Sequence, residues 1–477
     1  MKFHSFLVYL RLFLLVLFFS NAIGQTVIIK GIAKEAGGKT ITIKSYADNL
    51  TFTEQLLAKT VIDSAGNFEL TCKIPSTTLA IIHIEYYTGE LYIEPNQNLF
   101  IEIKNLIFNQ KIDRINYNLN PLTCYIKVLT ADKNDLNKLI QRLNINYNRF
   151  VKDNIFWMKT QRILYKLDTF LLAMKDTFAL ANNDFFNAYL KYRLASLKLL
   201  TNYNDNRKLL IDYIYQKPIL YDNVEYMTFL SNLFDNYFED LTLQVNLSDL
   251  MVPVNTNRSC AEALDVLGKD TLLKNEKLRE IVFLKTLDVL FASSNFNKKA
   301  ILEVLKQLSN TSKFDTHKLI ARNMIWQYTH FDKGFAAPDF ALSNTNDSLV
   351  KLSSYKGKIV YLNFYASWCV DCNDEMELIK KLYEKYHDDV EFISISVDRE
   401  NINMAYLARD RKYKWTFLHF NNDYDLLEKF GVYSYPSFVL IGADGKYIQC
   451  PAVLPSGNIE AVLDEILHPG ENKKEKK

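Results

Sequence analysis

The 477-residue chain has little of what several large function classes require. Lys and Arg number 57 against 55 Asp and Glu, a formal charge of +2, so no basic face is implied and nucleic acid is not an expected partner. Cysteine is sparse, with six in all: Cys72, Cys124, Cys260, Cys369, Cys372 and Cys450. Only Cys369 and Cys372 are close in sequence. The other four make a poor disulfide framework and read as buried, inert thiols. There is no second CxxC and no HxxxH, which removes the ligands a structural zinc site would need. The seven histidines are dispersed, and His387 and His419 read as surface or internally satisfied side chains. No glycine-rich phosphate loop or Ser-His-Asp elbow is present, so neither cofactor nor metal is expected. Beyond the N-terminus no apolar run has the length of a membrane span.

The N-terminus, MKFHSFLVYLRLFLLVLFFSNAIGQ, places Lys2 and Arg11 before the apolar run Leu12–Phe19, with Ala22 and Gly24 after it. Charge, apolar core and small-x-small is the order of a secretory signal, so residues 1–24 are expected to be removed, leaving Gln25 as the mature start. An uncleaved anchor is the alternative. The expected location is the periplasm or another exported site, where disulfides persist.

Three segments follow. Residues 25–112 read as an antiparallel β-sandwich. VIIKGIA and TITIKSY flank Gly37-Gly38, and LYIEPNQNLFIEI carries Pro95-Asn96 at its tip, both signals for hairpins. Phe68, Leu70, Cys72 and Ile74 alternate with polar residues, giving one apolar strand face, and DSAGN before them suits a tight reversal. Over 113–332 the period turns helical. Phe186, Leu190, Leu194 and Leu197 form one stripe, and IFWMKTQRILYKLDTFLLAMKD and KAILEVLKQLS repeat the theme. This all-α domain carries no chemical signature, and its aromatic stripes read as core. Residues 333–470 alternate strands (KIVYLNFYA, VEFISISV, SFVLIGADGKYI around Asp444-Gly445) with helices (MELIKKLYEKY, NMAYLARDRK, NIEAVLDEIL), an α/β domain. A basic tail, 471–477, ends the chain.

ASWCVDCNDE, 366–375, sits where the first α/β strand runs into a helix. Cys369 at a helix N-terminus gains thiolate stabilisation from unpaired N–H groups and the macrodipole. Cys372, one turn on, is near enough to close a disulfide and points inward. An exposed attacking thiol beside a sheltered resolving one is the arrangement for thiol–disulfide exchange. A static staple closing so small a loop would stabilise little.

The segments APDFALSNTNDSLVKLSSYKGK (337–358), YLNFYASWCVDC (361–372) and GVYSYPSFVLIGADGK (431–446) resemble a thioredoxin-like domain of the TlpA or cytochrome c maturation type. The likeness covers 335–468. The whole layout is similar to large periplasmic thiol–disulfide oxidoreductases of Gram-negative bacteria. The resemblance implies a redox disulfide Cys369–Cys372 covered by Trp368. It also implies a cis proline at Pro436 that lies against the pair and leaves the Tyr435 backbone to hold a substrate peptide. A glutamate at the place of Glu375 helps move the proton of the buried cysteine in the resembled reductases; a carboxylate that merely suits a first helical turn is the plain alternative. The buried Asp of general thioredoxins is Asn363 here, so any proton relay falls to Glu375 or water. Val370 and Asp371 replace the common Gly-Pro, and an anion beside Cys369 opposes its thiolate, which favours reducing or isomerising chemistry over oxidation. Expected partners are exported proteins bearing thiols or disulfides and, for a reductase, a membrane electron donor. Two other readings are a thiol peroxidase of peroxiredoxin type, though ASWCVDC lacks that family's Thr/Pro-rich loop and assisting Arg, and a non-catalytic peptide- or surface-binding module, against which the intact Cys369, Cys372 and Pro436 stand. Cys450 reads as a bystander rather than a third redox thiol.

Overall fold

The computed structural model describes residues 24–116, 119–129, 132–158, 160, 163–201, 206–235, 237–239 and 245–469. The expected leader, apart from residue 24, and the basic tail lie outside the described residues. By internal packing the chain divides into two units. One takes the chain up to His83 with Gly89–Lys104 and Tyr125–Arg322; the other takes Ile84–Thr88, Asn105–Cys124 and everything from Asn323 onward.

The N-terminal region is β-rich. Its elements are β1 (Gln25–Ile32), β2 (Thr40–Tyr46), β3 (Glu54–Val61), β4 (Asn67–Ile74), β5 (Thr78–Ile84), β6 (Tyr87–Ile93), β7 (Asn98–Lys104), the short helix α1 (Gln110–Ile115), β8 (Leu122–Thr123) and β9 (Tyr125–Val128). One sheet runs β4-β1-β7-β9 and the other β3-β2-β5-β6-β8. Phe68, Leu70, Cys72 and Ile74 are the buried side of β4, as the alternation predicts. The two hairpin expectations are corrected. The Gly37-Gly38 and Pro95-Asn96 steps each reverse the chain, but β1 and β2, like β6 and β7, end in different sheets. Turn chemistry fixes a local reversal and leaves the partner open. β1 takes β4 antiparallel on one side and β7 parallel on the other.

The helical region holds α2 (Leu136–Asn154), α3 (Ile163–Thr177), α4 (Asp184–Leu200), α5 (Asn206–Tyr213), α6 (Val224–Phe234), α7 (Cys260–Leu267), α8 (Glu276–Ala292), α9 (Lys298–Thr311) and α10 (Asp315–Thr329). Its abundance of Asn has a local cause. The side chains of Asn183, Asn223, Asn275 and Asn297 accept hydrogen bonds from first-turn N–H groups of α4, α6, α8 and α9, and such caps contribute about 1 kcal/mol each. Phe186, Leu190, Leu194 and Leu197 are buried in one cluster with Leu79 and Tyr92 of the strands. The Asn137 amide brackets the Tyr92 backbone, donating to its carbonyl at 2.8 Å and accepting from its N–H at 2.7 Å. Strands and helices of this unit therefore share a core.

The C-terminal part of the second unit adds β10 (Ala341–Asn344), β11 (Leu349–Lys351), β12 (Ile359–Tyr365), α11 (Val370–Tyr386), β13 (Val390–Ser396), α12 (Asn401–Asp410), β14 (Thr416–His419), α13 (Tyr424–Lys429), β15 (Ser437–Ile441), β16 (Tyr447–Gln449) and α14 (Ile459–Leu467). They form a mixed sheet in the order β11-β10-β14-β13-β12-β15-β16. β12 pairs parallel with β13 and antiparallel with β15. Its run IVYLNFY is apolar on both sides because it separates two cores. Leu362 and Phe364 face one, Tyr361 and Tyr365 the other. Full burial of such a side chain contributes about 1.5–3 kcal/mol. The β15–β16 hairpin turns at Gly445, whose positive φ of 77° suits a residue without Cβ.

Candidate functional site

The central strand β12 delivers the chain to Ala366, Ser367 and Trp368, and α11 begins at the next step. Cys369 is the N-cap of this 17-residue helix: its backbone is extended and its sulfur accepts the Cys372 N–H at 3.1 Å. The two sulfurs are bonded, with Cα atoms 5.2 Å apart, a separation ordinary for a disulfide. Cys369 is half-buried, whereas Cys372 is only 1% exposed. The loop before the pair is held from two directions. Asn373 donates to the carbonyls of Ser367 and Cys369 at 3.1 and 2.9 Å. Asp398 accepts the Ser367 N–H at 3.1 Å and its hydroxyl at 2.9 Å.

Strand register brings the third part of the site alongside. Phe364 pairs with Ser437, so the preceding Pro436 and Tyr435 fall beside the chain leaving β12. The Tyr435–Pro436 bond is cis. Tyr435 and Cys369 pack against both hydrophobic cores, and the Trp368 ring meets the Tyr435 ring edge-on at 6.4 Å. Trp368, Cys369, Cys372, Tyr435 and Pro436 are thus gathered in one place. Val370 and Tyr433, at 72% and 66% exposure, add apolar surface in the segments that bear the pair and the proline.

Glu375 shares a face of α11 with Cys372 and is 9% exposed. Its carboxylate is occupied: Ser456 donates its N–H at 3.0 Å to one oxygen and its hydroxyl to the other. Asn363 is buried among neutral partners, accepting from Ser394 Oγ at 2.6 Å and donating to Met376 Sδ at 3.6 Å. The Trp415 indole N–H donates to the same Ser394 hydroxyl at 2.8 Å.

Of the remaining cysteines, Cys72, Cys124 and Cys260 are free and buried, and Cys450 is free and half-buried. Burial pushes the Cys124 and Cys450 thiols up to about 11 and Cys260 to about 12, which favours the neutral thiol over the nucleophilic thiolate. His419 is internally satisfied, its Nε2 lying 2.7 Å from the Asp398 carbonyl oxygen.

Sequence reasoning missed Asp398 and Arg399. Asp398 is 1% exposed, and burial raises its carboxyl while hydrogen bonds from Ser396 and Ser367 oppose that. The available signal was position: an acid just past the carboxyl end of β13, the side of an open α/β sheet where crevices form. Arg399 binds both Asp113 oxygens at 2.6 and 2.7 Å, Glu85 at 2.9 Å and the Tyr86 hydroxyl at 2.8 Å, all within the second unit.

A mixed sheet whose central strand feeds a helix-capping, half-exposed cysteine bonded to a buried one defines a thioredoxin-like thiol–disulfide protein. Residues 334–449 match the family model described as the AhpC/TSA family. The thiol-disulfide oxidoreductase ResA of Geobacillus thermodenitrificans is 32% identical over 129 residues, which are 27% of this chain and 73% of that protein. ResA of Bacillus thuringiensis subsp. konkukian is 32% identical over 117 residues, 24% of this chain and 67% of that one. Among solved structures, a thiol:disulfide interchange protein from Bacteroides sp. is 20% identical, spans 31% of this chain and 99% of its own, and superposes with a TM-score of 0.28. Through its C-terminal domain the chain belongs to the ResA family of thiol–disulfide oxidoreductases.

Proposed function

We propose that the Cys369–Cys372 couple reduces or isomerises disulfides in exported proteins. The observation that carries this reading is the unequal placement of two bonded cysteines, one half-exposed at a helix N-terminus and the other 1% exposed. In the reduced chain the Cys369 thiolate attacks a partner disulfide, forming a mixed disulfide and releasing one partner thiol. Cys372 then attacks the Cys369 sulfur, which releases the second partner thiol and restores the internal bond. Two electrons pass to the partner. Returning the couple to its dithiol form takes two electrons and two protons, from a dithiol, two further thiols or a membrane electron donor.

Trp368, Tyr435 and Pro436 hold the partner segment beside Cys369, and Glu375, one turn past Cys372, handles the proton of that thiol. Asp371 in the first turn of α11 supports the reducing direction, since its charge opposes a stable Cys369 thiolate. The leader-like N-terminus supports export. Among the described residues no helix is long and apolar enough to cross a membrane.

Insulin with dithiothreitol as donor tests the reading. The wild-type chain is expected to reduce the insulin disulfides and Cys369→Ser to lose this, while Cys372→Ser, reduced beforehand and mixed with insulin after the dithiothreitol is removed, is expected to accumulate a covalent adduct through Cys369. Undiminished reduction by Cys369→Ser, or no adduct with Cys372→Ser, would remove Cys369 from the attacking role.

A further inference from the structure

The helical region carries a cleft that the exchange chemistry does not use. Its volume is about 550 Å³, and α3, α4 and α5 all contribute to its lining. That lies within the range of about 300–1,000 Å³ typical of small-molecule sites. The floor is apolar: Leu171 of α3 and Leu190 and Leu194 of α4 line it. These leucines belong to the same buried cluster as Phe186 and Leu197. They keep 8%, 9% and 5% exposure where Phe186 and Leu197 keep none, so the cleft opens onto this part of the core.

The rim is cationic. Lys175 of α3 and Lys191 and Lys198 of α4 stand in the lining against one carboxylate, that of Asp212. Helical spacing puts Lys191, Leu194 and Lys198 on one side of α4, so a single helix face supplies both apolar floor and ammonium groups. Tyr213 lies at the α5 end of the lining, and the Lys191 and Lys198 Nζ atoms are 5.9 and 5.7 Å from its ring centre. Tyr213 is itself fixed. Its carbonyl accepts the Tyr192 hydroxyl at 3.1 Å, and its ring centre is 5.4 Å from that of Phe229.

Packing alone does not require this arrangement. An aromatic ring attracts a cation, but two ammonium groups gathered at one ring repel each other. Burial and the nearby charge of Lys217 both lower the proton affinity of Lys191. Lys217 is kept close by hydrogen bonds from its ammonium to the Ile211 and Asp212 carbonyls. Among the described residues neither Lys175 nor Lys191 has a carboxylate within salt-bridge distance. An anion between the lysines would relieve the repulsion that the fold leaves in place.

We propose that this cleft binds a small amphiphilic anion, its charged head among Lys175, Lys191 and Lys198 and its apolar chain on Leu171, Leu190 and Leu194. The lysines set the sign of the ligand, the leucines call for an apolar body, and the volume keeps it small. Inorganic phosphate would leave the floor unused. The site shares no residue with the disulfide and is read by binding, so it stands or falls separately from the exchange reading.

Isothermal titration calorimetry on the purified chain tests it. The probe is sodium decanoate below its micelle-forming concentration, compared with octanoate, decyltrimethylammonium and inorganic phosphate. Decanoate is expected to bind at one site. Octanoate, with two fewer CH₂ groups to bury, should bind about tenfold more weakly. Decyltrimethylammonium and phosphate should each bind more weakly than decanoate by about tenfold or more. Lys191→Gln combined with Lys198→Gln should weaken decanoate about tenfold. Lys306→Gln, which removes an exposed lysine of α9, should leave it unchanged. The comparison of probes needs only the wild type, so it decides the matter even where the double variant folds poorly. Absence of decanoate binding overturns the proposal, as does decyltrimethylammonium or phosphate binding as tightly as decanoate. Wild-type affinity in the folded double variant overturns it too, and so does an equal loss in Lys306→Gln, which would mean adsorption to surface lysines at large.

Discussion

Replacement of Asp398 should loosen the active-site loop and alter the pH dependence of stability in a defined direction. Its carboxylate accepts the Ser367 N–H, the Ser367 hydroxyl and, at 2.8 Å, the Ser396 hydroxyl. Asp398→Ala strands all three donors. Ser396 is fully buried and cannot turn to water, whereas half-buried Ser367 can in part. At about 1–3 kcal/mol for each donor left unsatisfied, the expected loss is about 2–4 kcal/mol. Asp398→Asn keeps the shape and removes the titration. Burial raises the Asp398 carboxyl above its ordinary value, so the folded chain keeps this proton at a pH where the unfolded chain has lost it. Unfolding then releases a proton. The group's contribution is fully present below the ordinary carboxylate range and declines as pH rises through the raised value. The lead of wild type over Asp398→Asn should therefore be largest in acid and shrink toward neutrality, by about 1.4 kcal/mol for every tenfold difference in proton affinity. Urea unfolding followed by tryptophan fluorescence from about pH 4 to about pH 8 reads both effects. A lead that widens with pH, or an Asp398→Ala cost under about 0.5 kcal/mol, would refute the reasoning.

Two further outcomes follow from buried polar groups. In the helical region His317, fully buried, lies 2.8 Å from Glu280 Oε1 through Nδ1 and 2.6 Å from the Tyr221 hydroxyl through Nε2. His317→Leu leaves both partners short of a hydrogen bond and should cost about 2–4 kcal/mol in urea unfolding, whereas a cost near zero would mean the cluster relaxes freely. Glu375→Gln retains one acceptor for Ser456 and removes the charge. It should slow resolution of the mixed disulfide in stopped-flow assays while lowering Tm by no more than a few degrees. An unchanged resolution rate would leave Glu375 as a tether for Ser456 alone.

What could be read from the sequence was local. The run IVYLNFY ending at ASWC specifies a strand buried on both sides and then a helix start, and both signals lie within a dozen residues of the cysteines. The stripe Phe186, Leu190, Leu194, Leu197 likewise needs only its own helix to be seen. The Gly37-Gly38 and Pro95-Asn96 steps misled because a turn residue states that the chain reverses, while the strand beside it is chosen by burial across two sheets. Arg399 was illegible for a stronger reason. Its partners Asp113 and Glu85 lie 286 and 314 residues earlier, and no periodicity or motif links those positions. Asp398 fell between these cases, since its place after β13 was visible but its hold on Ser367 was not.

The central claim is that this couple donates electrons to disulfides rather than withdrawing them from thiols. The most direct test is the reduction potential of Cys369–Cys372 in the purified chain, titrated against glutathione buffers. With Asp371 opposing the Cys369 thiolate, the expected value lies near that of thioredoxin, roughly −270 mV. A value near roughly −120 mV, where the dithiol form is the favoured one, would make the protein a disulfide donor and contradict the account.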